Sequence, residues 1–347
     1  MKTKSVVFRV VLVGILTVAY LSVIALASAR PQQEGAVGYH LIKTVKLNAT
    51  GGGWDYLSID PENRRLFVSQ ESHVIVLNLD TDDVVGDIPN TPGVHGVAVA
   101  TEFGRGFTSN GDTNNVTIFD LKTLKMIGQA PTSNDTDAII YDPASHRVFT
   151  MNGDSHSSTA INAATGKVDG TVALPGGPEF AAADGHGKVF VNIESKSELA
   201  EIDSQTLKVT NHWPLAPCKS PSGMAMDREH ARLFIGCHNN LMAVVDATTG
   251  KVVTTLPTGQ GVDADRFDAG TGLAFSSNGE SATLTVVHEE SPDKYTVVEN
   301  VKTEKGARTM EVDPKTHNIY LVTADLIPGR PHPKAKPGTF RLLIFAK

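Results

Sequence analysis

Seven residues recur at one position of a repeated stretch: Asp55, His95, Asp137, Glu179, Ser222, Asp263 and Arg308. They stand 40, 42, 42, 43, 41 and 45 residues apart, six of the seven are ionisable, and four are carboxylates. If a fold gathers them around one opening, the carboxylates repel one another in a low dielectric. They then take up protons, a cation, or the guanidinium of Arg308. Oxygen donors from several strands, here Asp55, Asp137, Glu179 and Asp263, suit a divalent cation, calcium first and magnesium second. His95 beside carboxylates suits a transition metal. The plainer expectation is a solvated polar rim whose charges pair among themselves.

The elements that must position this column are short strands. The clearest copy of the repeat, residues 220–256, reads SPSGMAMDREHARLFIGCHNNLMAVVDATTGKVVTTL. Four apolar runs are broken by polar turns, and Gly250 allows a tight turn before the last run. Copies begin DYLSID at Asp55, HGVAVA at His95, DAIIYD at Asp137, EFAAAD at Glu179, SGMAMD at Ser222, DADRFD at Asp263 and RTMEVD at Arg308. One four-stranded sheet cannot bury both faces, so the copies must stack, and this period is a propeller blade's length. The last copy has three strands, and a spare strand, YHLIKTVKL, stands at residues 39–47. The expected fold is therefore all-β: a seven-bladed β-propeller of four-stranded antiparallel blades, the last closed by the N-terminal strand. Such closure removes the exposed sheet edges that a solenoid would keep.

Residues 1–29 read as a signal peptide. Lys2, Lys4 and Arg9 precede an apolar run, and Ala27-Ser28-Ala29 forms a small-residue cleavage site. Left uncleaved, the segment would be a membrane anchor. Its removal takes the formal net charge from −7 to −10. Residues 30–38 are a polar tether, and 39–347 are expected to form one propeller domain, a monomer, periplasmic or secreted.

The repeats carry Asp-Pro, Arg/Lys-Val-Phe-Val, Val-x-Val-Ile/Phe-Asp and Thr-Gly-Lys-Val, as in Val116-Thr117-Ile118-Phe119-Asp120 and Thr249-Gly250-Lys251-Val252-Val253. In this the mature chain resembles the YVTN-type (YncE-like) bacterial β-propeller repeat family. The Tyr-Val-Thr-Asn string itself is degraded to Phe107-Thr108-Ser109-Asn110 and Phe149-Thr150-Met151-Asn152. The resemblance implies an extracytoplasmic propeller, often without an assigned reaction, with similar rings among lactonases.

Other residues on the rim face are candidates. Gln70, Asn110, Asn152, Cys237 and Asn278 end second strands; they are expected to satisfy turn backbone rather than a ligand. The last blade carries a long loop, residues 326–337, with Arg330, Lys334 and Lys336, a lid or partner-recruiting segment if it is not simply a surface loop. Cys218 and Cys237 fall at the same face of adjacent strands, so a disulfide is expected in an oxidising compartment. A metal site at Cys237-His238 lacks paired ligand spacing. His146, His230 and His317 read as surface turn residues on the opposite face, and His288-Glu289 with Ser291-Pro292-Asp293 as a distinctive turn there.

No G-x-S-x-G elbow, P-loop or H-E-x-x-H occurs. The acidic balance argues against nucleic acid, which Trp54 stacking would support only weakly. Two function classes survive. One is a non-catalytic platform binding a protein, peptide or small ligand at the channel mouth. The other is a metal-assisted, lactonase-like hydrolase using the carboxylate rim.

Overall fold

The computed structural model describes residues 37–47, 52–328 and 334–347. The signal segment 1–29, most of the tether, and Arg330 of the long loop lie outside the described residues. No described helix is long and apolar enough to cross a membrane.

Seven four-stranded antiparallel sheets form the blades of a propeller. Six blades take their strands in chain order from the centre outwards. The seventh combines Met310–Val312, Ile319–Thr323 and Arg341–Ala346 with the N-terminal strand His40–Lys46, which pairs with Arg341–Ala346 at its outer edge. That closure is the one expected. Tyr39 fastens it by packing edge-on against Phe275 of blade 6 at 5.6 Å.

The core is divided among the seams. Seven apolar clusters each lie mainly between two neighbouring blades. The repeated aromatic of the second strand explains this. Phe67, Phe107, Phe149, Phe190, Phe234, Phe275 and Tyr320 are all 0–1% exposed, one per blade. The aspartate that closes most inner strands caps the next turn: Asn63 N–H donates to Asp60 at 3.0 Å, and Lys315 N–H to Asp313 at 3.1 Å. These aspartates shape turns on the face opposite the column.

Candidate functional site at the channel mouth

The column lies at the start of the inner strands, with one adjustment of register. In six blades the strand begins one residue earlier, as in Trp54–Asp60, Val94–Ala100 and Thr136–Asp142. In the seventh it begins at Met310, two residues after Arg308. Each of the six carries a β-bulge at this place: Trp54 pairs with Gln70, but Leu57 pairs with Val68. A bulge adds an unpaired residue and re-aims its side chain. It leaves Asp55, His95, Asp137, Glu179 and Asp263 half-buried and Ser222 buried.

The rim charges pair in two groups. His95 Nδ1 stands 2.6 Å from Asp55 Oδ2 and 3.2 Å from Asp137 Oδ1. Arg308 donates through Nε to Asp263 and through Nη2 to the Trp54 carbonyl at 2.9 Å, and it stands 3.9 Å from Asp55. Ser222 Oγ donates to Asp263 at 3.2 Å. Glu179 faces the axis, where Tyr56 OH donates to it at 3.2 Å. The column is thus one electrostatic unit, while Asp55, His95 and Asp137 alone among these residues bring ligand-type atoms within 4.8 Å of one another. One imidazole and two carboxylates fit a transition metal better than calcium.

These contacts shift protonation in opposite directions. Burial pushes the Asp137 carboxyl up to about 7; His95 opposes this, and the Asp55 and Asp263 charges add to it. Burial, then Asp137 and Asp263, drive Glu179 well above the carboxylate range. Burial also raises Asp263 despite Arg308. For His95, burial disfavours the charge, but the Asp55 hydrogen bond with the Asp137 and Asp55 charges outweighs it and holds the imidazole at about 9. That pairing contributes stability in full below pH about 6.5, lost as pH rises through about 9. In an NMR titration His95 should change charge near pH 9, and Asp55→Asn should move it back towards about 6.5. An unmoved titration in the variant would show that Asp55 does not hold the charge.

The opening is a cup with a floor. Tyr56 of blade 1 meets Phe180 of blade 4 at 4.8 Å between ring centroids, a contact that crosses the ring. The Arg266 guanidinium of blade 6 covers the same Phe180 ring at 5.1 Å and bonds Glu311 of blade 7 at 2.9 Å. Beside the cup opens a cavity of about 1140 Å³. Trp54, Asp263, Arg308 and Lys305 line it together with Leu326 and Pro328 of the long loop. The described ends of the loop therefore border the mouth. Trp54 is 6% exposed, packed on Phe340 at 5.6 Å with Arg308 5.7 Å over its ring. Its indole N–H has no hydrogen-bond partner among the described residues.

The second-strand amides do something other than satisfy turns. Asn110, Asn152 and Asn278 are fully buried and donate to Thr117, Thr159 and Thr285 of the third strands at 3.0, 3.1 and 3.0 Å. They tie strands together inside the blade, because a buried amide must use its donors. Cys218 and Cys237 form the expected disulfide.

One residue escaped the sequence reading. Asp265 occupies the seam position held elsewhere by Leu57, Val97, Ile139, Ala181, Met224 and Met310. It is fully buried, and neither carboxylate oxygen accepts a well-formed hydrogen bond from the described residues. A Cβ on Gly223 or Gly236 of blade 5 would come within 2.5 or 2.2 Å of its Oδ2, so those glycines make its space. Burial pushes its pKa to about 7, against nearby Ser276 and the Gly236 N–H. Aligning the repeats column by column exposes this aspartate; reading each strand for apolar content does not.

No family model and no curated protein sequence matches this chain. Solved structures do match in fold. A Kuenenia stuttgartiensis hydrazine synthase chain is similar over 81% of this chain and 96% of its own, with 13% identity and a TM-score of 0.68. The WD40 repeats of RRP9 are similar over 89% of this chain and 100% of theirs, with 9% identity and a TM-score of 0.76. At such identities the likeness establishes the seven-bladed β-propeller and nothing about chemistry.

Proposed function

We propose that this chain is a YVTN-type propeller, domain 39–347, exported by residues 1–29, that binds a ligand at the channel mouth without reacting it. Export is supported by the signal-like segment and by a disulfide that an oxidising compartment would keep. The ligand is a peptide, protein segment or small molecule carrying a cationic group and an apolar part. One observation carries this: four carboxylates share a floored cup with Arg308 and His95 as their nearest cations, next to a cavity that Leu326 and Pro328 help to line. A ligand cation would offset the burial and, after it, the mutual repulsion that now raise Asp137, Glu179 and Asp263.

The hydrolase reading draws on Asp55, His95 and Asp137. It asks for three or more rim carboxylates free to hold one ion. Instead Asp263 is committed to Arg308 and Ser222, and Glu179 to Tyr56. The test uses fluorescent short peptides with a free or an acetylated N-terminus. Free-amine peptides with a following apolar residue should bind, and Asp137→Asn should weaken them by about tenfold, the loss of one partly buried charge contact. Equal binding of acetylated peptides would overturn the cation reading. Turnover of a lactone panel, lost in His95→Ala, would favour the hydrolase.

A further inference from the structure

On the face opposite the mouth, blade 6 departs from its neighbours. Its outer hairpin, Thr283–Ser291 with Lys294–Lys302, runs nine residues per strand, whereas the third strands of the other blades run six. Glu289 lies on the extension and reaches blade 5. There it meets Asp227, the last residue of Pro221–Asp227, and His230 in the following turn. His230 Nδ1 is 2.5 Å from Asp227 Oδ2 and 3.4 Å from Glu289 Oε1, and the three donor atoms lie within 4.8 Å of one another. We propose that Asp227, His230 and Glu289 bind a divalent transition-metal ion of the zinc class and brace blade 5 against blade 6.

Turn chemistry accounts for two of the three residues. Asp227 accepts the Glu229 and His230 N–H groups at 3.0 and 3.3 Å, as a turn-capping aspartate does. The Asp–His pair also recurs: His317 Nδ1 stands 2.7 Å from Asp268 of the neighbouring blade, where no third ligand-type group joins it among the described residues. Glu289 is what the turn leaves unexplained. Its side chain is 4% exposed, beside an Asp227 that is 5% exposed. Among the described residues its Oε1 accepts only a long hydrogen bond, from Tyr295 OH at 3.4 Å, and its buried Oε2 has no hydrogen-bond partner. The nearby Arg232 makes its ion pairs with Asp246 and Asp293 instead. Two buried carboxylates side by side with an unspent oxygen call for a cation. One imidazole nitrogen with two carboxylate oxygens suits zinc and its neighbours, with water completing the shell on the side where His230 is 42% exposed.

The probe is zinc alone, titrated calorimetrically into the whole chain after chelator treatment, with thermal melts alongside. One equivalent should bind and raise the melting temperature. Glu289→Gln, which keeps the shape, and His230→Ala, at an exposed turn, should each weaken that equivalent at least about 10–100-fold, the range known for losing a mere supporting contact. His95→Ala, at the mouth, should leave it intact. Two results overturn the site: no zinc binding by the wild type, or binding that survives both Glu289→Gln and His230→Ala. Having two independent variants keeps the test decisive if one of them fails to fold.

Discussion

Replacing Asp265 with alanine should stabilise the protein above pH 7 by about 2–3 kcal/mol and flatten its loss of stability between pH 4 and 7. In the folded state the carboxyl sits at about 7, against an ordinary value of 3.8. Below pH about 4 it is protonated folded or unfolded and adds no pH-dependent loss. As pH rises from there, the unfolded chain releases the proton while the folded chain retains it, so stability falls. Above about 7 the loss is complete, and the rise from 3.8 to about 7 corresponds to about 4 kcal/mol. Alanine removes that loss and forfeits about 1 kcal/mol of packing. It suits the position, since Ala181 fills the same column in blade 4. Asp137, Glu179 and Asp263 are raised in the same sense, so the slope should shrink rather than vanish. Urea midpoints at pH 5 and pH 8 decide the matter. A variant less stable at both would mean that Ser276 and the Gly236 N–H hold the carboxylate firmly enough to make it a seam fastener.

Breaking the disulfide should cost about 3 kcal/mol, because it removes a cross-link that restrains the unfolded chain across a short loop. Cys218 and Cys237 lie 19 residues apart and are 1% and 0% exposed, inside the cluster between blades 4 and 5. The bond also ties the 219–221 segment to the second strand at the mouth, where the next residue, His238, lines the cavity. Oxidised wild type should therefore unfold at a higher denaturant midpoint than the Cys218→Ala/Cys237→Ala variant, and reducing agent should shift only the wild type. Equal midpoints for oxidised and reduced wild type would show that the bond adds no effective restraint to the unfolded chain.

Ring, blade number and closing strand were all legible in the sequence. A repeat near 40 residues, an apolar run every few residues and one unpaired strand at the N-terminus are local facts, and edge removal leaves them few arrangements. The column Asp55 to Arg308 was legible for the same reason: equal positions in stacked copies face one axis. The disulfide followed from one cysteine just ahead of an inner strand and another at the end of the neighbouring second strand.

Which rim charge meets which was not legible. His95 serves both Asp55 and Asp137, while Arg308 takes Asp263 and turns towards Asp55 across the closure of the ring. The bulge that aims each side chain leaves no mark in composition. The floor depends on Tyr56 meeting Phe180, residues 124 positions apart that only a closed ring brings together. Glu289 reads as part of a turn until the longer hairpin carries it over blade 5. The sequence by itself determined the repeating unit and the axis its residues share, because both follow from short-range periodicity. The tertiary structure alone decided the pairing of charges, the closing of the channel and the meeting of blades 5 and 6, because each depends on distances across the ring or its seams that no spacing along the chain encodes.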